Sequence, residues 1–208
     1  MEKLLDGIVK FRSKDFEAHR DLFKTLKAEQ KPHTLFIACS DSRVDPNLIT
    51  GSLPGELFII RNIANLVPPY RETTEYAATT SAIEYAVMYL EVENIIVCGH
   101  SNCGGCAACL KPPALLSQMP HTKKWLKLAR SVRDRILQEV PKEEPEVREW
   151  MMEQANVVEQ LKHLIGYPYI KEKVISGKLH IGGWHYIIET GEVFIYDADK
   201  QAFCLANQ

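Results

Sequence analysis

The chain has 208 residues, 46% of them hydrophobic and 25% charged, and a formal net charge of −2. That length suits one domain with appended helices, with a core large enough to need no disulfide staples. The charge balance gives no nucleic-acid or membrane-surface footprint, and no apolar run approaches the ~20 residues of a membrane span.

Residues 1–30 read as an N-terminal helical arm: Phe16, Leu22, Phe23 and Leu26 form one stripe among charges, and Pro32 ends it. The first residues, Met1 to Lys10, carry Glu2 and Asp6 and lack a signal-peptide pattern, so a cytoplasmic protein is expected. Residues 31–208 are expected to form a single α/β domain. Within it, 34–39 (TLFIAC) has the length of a buried strand. A polar loop, SDSRVDPN, follows, with Pro46 and Asn47 opening a short helix. Residues 55–60 (GELFII) predict a second strand, Glu75 to Leu90 a helix through Ala78, Ala82, Tyr85, Ala86 and Leu90, and 94–98 (NIIVC) a third strand. The Ala-rich segment from Ser101 to about Leu110 starts another helix.

Pro112 and Pro113 interrupt the pattern, and two amphipathic helices follow over 122–140 and about 146–164, parted by Pro141 and Pro145. Lys123, Lys124, Lys127, Arg130, Arg133 and Arg135 crowd the first of them. Glu and Asp balance these cations, so they read as a solvated face. Residues 178–188 and 192–197 predict a hairpin around Glu189-Thr190-Gly191. Strands alternating with helices argue for a mostly parallel central sheet with flanking helices on both faces, and the hairpin for an antiparallel C-terminal edge.

Six cysteines are present, four of them between residues 98 and 109. In an open parallel sheet, sites lie outside the carboxyl ends of the strands. Cys39 ends the first strand and His100 the third, and Cys103 lies three residues beyond His100 where a helix begins. Two thiolates and one imidazole form a set that zinc favours, with the fourth position left open as catalysis requires. A rival grouping of Cys98, Cys103 and Cys106, with Cys204 as a fourth ligand, has iron–sulfur spacing, but it places a strand and a helix where a cysteine loop is needed. Cys98 and Cys204 alone read as small core residues, Cys106 as packing against the sheet and Cys109 as a helix residue. The remaining histidines, His19, His33, His121, His163, His180 and His185, read as structural. Asp41 and Arg43 follow Cys39 at spacings of two, so on extended backbone they point the same way and Arg43 can fork onto the carboxylate.

At these residues the sequence resembles a β-class carbonic anhydrase. The resemblance rests on CSDSR (39–43), PGELF (54–58), RNIAN (61–65), AIEYA (82–86), GHSNCGG (99–105) and GGWHY near residue 184. It implies reversible hydration of carbon dioxide to bicarbonate and a proton by hydroxide generated on Zn2+, a lyase reaction. Zinc would be held by Cys39, His100 and Cys103, with Asp41 and Arg43 as the catalytic pair. It further implies a carbon dioxide pocket of Gln30, Phe58, Ile63, Tyr85 and Gly104, partly supplied by a neighbouring subunit, and hence a homodimer or homotetramer. Neither a nucleic-acid nor a membrane partner is implied. Ile63 stands where many members have Val.

One subset of the family closes its site with the aspartate on zinc and holds inhibitory bicarbonate in a second pocket. Phe36 and Ala38 stand where that pocket has Trp and Gly, although Arg61 and Tyr186 match other parts of it, so the open form is expected. Two thiolates offset the charge of zinc, and Asp41 adds more negative charge nearby. Hydration is therefore expected to rise through mildly alkaline pH. Two other functions share the same residues: a zinc-binding relative without turnover, against which the intact Asp41–Arg43 pair argues, and hydrolysis of a linear analogue such as carbon disulfide.

Overall fold

The computed structural model describes residues 1–72 and 77–206. The chain opens with a helical arm: α1 (Glu2–Lys10), a π-helical turn (Phe11–Asp15), α2 (Phe16–Ala18) and α3 (Arg20–Thr25). His19, at φ −115° and ψ 19°, breaks the arm. The helix therefore stops short of residue 30, at Thr25. Phe11, Phe16 and Phe23 fold the arm onto itself, the last two stacked with centroids 5.3 Å apart. Even so, the arm buries no residue in the single chain. Leu4, Leu5, Ile8 and Val9 are more than half exposed, and that apolar stripe needs a cover the chain does not supply.

A strand covered on both faces reads as an unbroken apolar run. β1 (Thr34–Cys39) does so, and all of it is buried. Asp45 then caps α4 (Pro46–Thr50) by accepting from the backbone N–H groups of Asn47 and Leu48, and Pro46 suits the first helical position. β2 (Leu57–Asn62) starts two residues later than the 55–60 expected. Gly55, at φ +96°, still belongs to the turn, with Leu26 packed against its bare Cα. After α5 (Ala77–Glu84) and a π-helical turn (Tyr85–Tyr89) comes β3 (Asn94–His100). Glu75, where that helix was expected to begin, lies outside the described residues.

The chain continues through α6 (Gly104–Leu110), α7 (Pro120–Leu126), α8 (Arg130–Glu139), α9 (Pro145–Ile165) and α10 (Pro168–Ile175). β4 (His180–Tyr186), β5 (Val193–Asp197) and β6 (Ala202–Leu205) complete it. The six strands run β2-β1-β3-β4-β5-β6. The first four are parallel, and β5 and β6 add the antiparallel edge. α10 and β6 have no counterpart in the sequence reading. No helix among the described residues is long and apolar enough to cross a membrane.

Alternation along the strands sorts the core. Leu35, Ile37, Ile95 and Val97 face Ile83, Val87, Val157, Leu164 and Ile170 from α5, α9, α10 and the turn after α5. Each such side chain contributes roughly 1.5–3 kcal/mol by leaving water. Phe36, Ala38 and Cys98 point to the opposite face, against Ile49 of α4 and Trp184. α9 sits so close to the sheet that a Cβ at Gly183 would lie 2.8 Å from Val157 Cγ1. Gly183→Ala is therefore expected to cost about 1–3 kcal/mol by overpacking. In chemical denaturation the Gly183→Ala/Val157→Ala pair should lose less than the sum of the two single changes; strict additivity would contradict this contact.

Candidate functional site

Parallel pairing of β1 with β3 puts two carboxyl ends side by side, Ala38 opposite Cys98. One residue beyond each, the backbones deliver Cys39 and Gly99, and His100 and Cys103 follow. Cys39, His100 and Cys103 are all buried, and their ligand atoms lie within 4.8 Å of one another. The two sulfurs are 4.0 Å apart, close to the roughly 3.8 Å that two thiolates subtend on tetrahedral zinc at 2.3 Å each. His100 Nδ1 donates to the Ser101 carbonyl at 3.0 Å, which leaves the lone pair on Nε2. Nε2 is buried with no hydrogen-bond partner. An orphan acceptor between two thiols is what a tetrahedral cation would satisfy. Without one, hydrogen bonding to Cys103 and burial push the Cys39 thiol up to about 12.

Asp41 stands beside this cluster, Oδ2 4.0 Å from His100 Nε2. Arg43 forks onto it: Nε donates to Oδ1 at 2.9 Å and Nη2 to Oδ2 at 2.8 Å, while the Arg43 backbone N–H also donates to Oδ1. The guanidinium holds the Asp41 carboxyl well below the usual carboxylate range. Arg43 Nη2 reaches on to the Asn102 carbonyl, tying the first loop to the loop after β3. Arg61, matched above to an anion pocket, instead donates to the carbonyls of Cys39 and Asp41 and braces the loop between them. Asn62 closes the next turn by exchanging two hydrogen bonds with Leu66, while Ala64 takes φ 63° inside it.

A second layer escaped the sequence reading. Glu153 on α9, 3% exposed, accepts from the Cys103 backbone N–H at 2.9 Å through Oε1 and faces His185 Nε2 at 3.3 Å through Oε2. Asn156 donates to the Ala64 carbonyl, Gln160 donates to Asn156, and Gln160 accepts from the Val67 N–H. Glu153, Asn156 and Gln160 thus form a polar ridge on the buried side of an amphipathic helix. Polar residues at 153, 156 and 160 on an apolar stripe were the available signal. His185, expected to be structural, is buried against Glu153.

The residues expected to line the substrate pocket fall into two groups. Ile63 and Gly104 lie at the cluster: Ile63 directly follows the β2 residue that pairs with Cys39, and Gly104 follows Cys103. Phe58 pairs with Leu35, four residues before Cys39 and so about 13 Å away along the strand. Tyr85 is with Phe58, ring centroids 5.9 Å apart, and Gln30 shares a cavity of about 650 Å3 with Tyr85. One chain therefore does not bring the five together. The iron–sulfur grouping also fails, since Cys98 packs with Phe36 and Ala38 while Cys103 and Cys106 belong to a separate cluster with Ala64 and Met152.

Comparison with known proteins agrees with this geometry. The sequence profile of the carbonic anhydrase family matches residues 34–193. A carbonic anhydrase of Helicobacter pylori is 39% identical over 98% of this chain and 93% of its own length. One of Synechocystis is 44% identical over 95% of this chain and 71% of its own. Among solved structures, the β-carbonic anhydrase CcaA superposes with a TM-score of 0.93 at 42% identity, covering 99% of both chains. A tetrameric β-carbonic anhydrase of Sordaria macrospora gives 0.80 at 29% identity, covering 99% of this chain and 98% of that one. The chain belongs to the carbonic anhydrase family, in its β class. It is an enzyme of that activity, the reversible hydration of carbon dioxide to bicarbonate.

Removing Glu153 leaves the Cys103 N–H and the buried His185 without their partner. Glu153→Ala is expected to cost about 1–3 kcal/mol for each group left unsatisfied, read by chemical denaturation. Glu153→Gln, which keeps an acceptor for the N–H, should cost less; equal stability of Glu153→Ala and wild type would contradict the network.

Proposed function

We propose that Cys39, His100 and Cys103 hold one zinc ion, and that Asp41 and Arg43 orient the nucleophile for carbon dioxide hydration in the open form of the site. The buried, unpartnered Nε2 of His100 facing two thiols carries the assignment. Zinc bound there supplies Lewis acidity that makes water nucleophilic near neutral pH. Asp41 Oδ2 accepts one hydrogen bond, from Arg43, and so keeps a lone pair for a hydrogen of the nucleophile beside the cluster. By accepting it, Asp41 aims the oxygen lone pair at the carbon of the substrate. Arg43 keeps the carboxylate ionised and, by occupying both of its oxygens, holds it off the metal position. The formed Asp41–Arg43 fork supports the open arrangement. Phe36 packed on Trp184, and Arg61 committed to backbone carbonyls, argue against an inhibitory bicarbonate pocket.

The same reading assigns carbon dioxide to a pocket with Ile63 and Gly104 from one chain and Gln30, Phe58 and Tyr85 from a second copy. Two observations support it: the separation of these groups within one chain, and the uncovered apolar stripe of the arm.

Asp41→Asn is expected to lower the hydration rate by about 100-fold or more while metal analysis still finds the zinc of the wild type; an unchanged rate would sink the orienting role. Deleting residues 1–25 should give a monomer in sedimentation with most of the hydration activity lost. A fully active monomer would contradict the shared pocket.

A further inference from the structure

A cluster of cations that the catalytic reading does not use surrounds a second cavity. It has a volume of about 260 Å3 and lies between the end of α6 and the helices α7 and α8. Cys109, Leu116 and Leu126 give it a buried apolar floor. Lys111, Lys123, Lys127, Arg130 and Arg133 line it, and no acidic residue does. The sequence reading took four of these cations for one solvated helix face. The fold places them, with Lys111 just beyond the end of α6, around a single hollow.

Helix-end electrostatics accounts for only part of this. Lys111 follows the last turn of α6 and Lys123 sits in the last turn of α7, where the helix dipole favours cations. Arg130 and Arg133 occupy the opening turns of α8, where it disfavours them, and the first turn of α8 holds no acid. Both arginines lean on the single carboxylate of Asp134, so the group keeps a net positive charge. Among the described residues, Lys111, Lys123 and Lys127 form no ion pair. A concave site lined by one sign of charge over low-dielectric walls concentrates the opposite charge. In a chain whose formal net charge is −2, five cations against one carboxylate leave a concentrated positive charge at this cavity.

We infer that this cavity binds a small organic phosphate, with the phosphate held among the lysines and arginines and an apolar portion resting on Cys109, Leu116 and Leu126. Lysine ammonium and guanidinium groups both bind phosphate oxygens. The volume falls below the roughly 300–1,000 Å3 typical of drug-sized ligands, so the ligand is small or projects from the mouth. Its apolar floor distinguishes the site from a simple counter-ion patch, because burying carbon there adds affinity that inorganic phosphate cannot gain.

Calorimetric titration of the zinc-loaded protein with phenyl phosphate and with inorganic phosphate tests this. Phenyl phosphate is expected to bind saturably and about tenfold or more tighter than inorganic phosphate. The Lys123→Gln/Lys127→Gln variant changes only side chains outside the catalytic cluster. It should weaken phenyl phosphate about tenfold or more while carbon dioxide hydration and thermal melting stay unchanged. No saturable binding at millimolar phenyl phosphate would overturn the inference, as would equal affinity for the two probes. Binding that the variant retains would do the same by placing the ligand elsewhere, such as at Arg43. Flotation with vesicles containing phosphatidic acid separates a membrane source of the same chemistry: the wild type should stay unbound, and retention that the variant loses would reassign the cavity to a lipid headgroup.

Discussion

The parallel pairing of β1 with β3 is the constraint on which the site depends. A strand buried on both faces cannot slip by one residue without turning Leu35 and Ile37 away from the helices and Phe36 away from Trp184. That register fixes where each strand ends, and so brings Cys39 beside the start of Gly99-His100. The geometry of the candidate ligands is therefore a consequence of core packing. The hydrophobic burial that holds the sheet together also preorganises two thiols and an imidazole at one point.

Packing alone would leave the loops beyond the strand ends free to move, and the polar contacts suppress that freedom. Arg61 holds the carbonyls of Cys39 and Asp41, Arg43 links Asp41 to Asn102, and Glu153 takes the N–H of Cys103. Asn156 and Gln160 do the same for the turn carrying Ile63 to Val67. A buried carboxylate is expensive unless it is hydrogen-bonded. Here the expense is offset by two partners, and Glu153 restrains Cys103, one of the proposed ligands, from behind. The residues proposed for the pocket are divided differently: Phe58 and Tyr85 lie together about 13 Å from Cys39 along the sheet, so the proposed shared pocket would link catalysis to assembly.

Much of this was legible in the sequence where a single element carried the signal. TLFIAC is apolar after Thr34 and bounded by Pro32-His33 and a polar loop, so β1 and its end at Cys39 could be placed to the residue. His100 and Cys103 were legible because the first ends a buried strand and the second opens the helix after it. β2 was placed two residues early because an apolar run does not reveal that Gly55 still turns at positive φ. α10 and β6, of eight and four residues, are too short for periodicity to separate them from loop. Glu153 was missed because its meaning is long-range: it lies fifty positions from Cys103 in the chain, and only the packing of α9 against β3 and β4 joins them. Lys111 joins the basic run of 123–135 only in the fold, where they line one cavity, so no single stretch of sequence shows the group.

The account stands on three residues acting as one metal site that carries the activity. Its most direct test measures zinc content and stopped-flow carbon dioxide hydration together, on the wild-type protein and on Cys103→Ser. The account predicts one zinc per chain in the wild type, and a parallel loss of zinc and of hydration rate in the variant. A Cys103→Ser protein that keeps its zinc and its rate, or a wild-type protein that carries iron with visible absorbance, would contradict it.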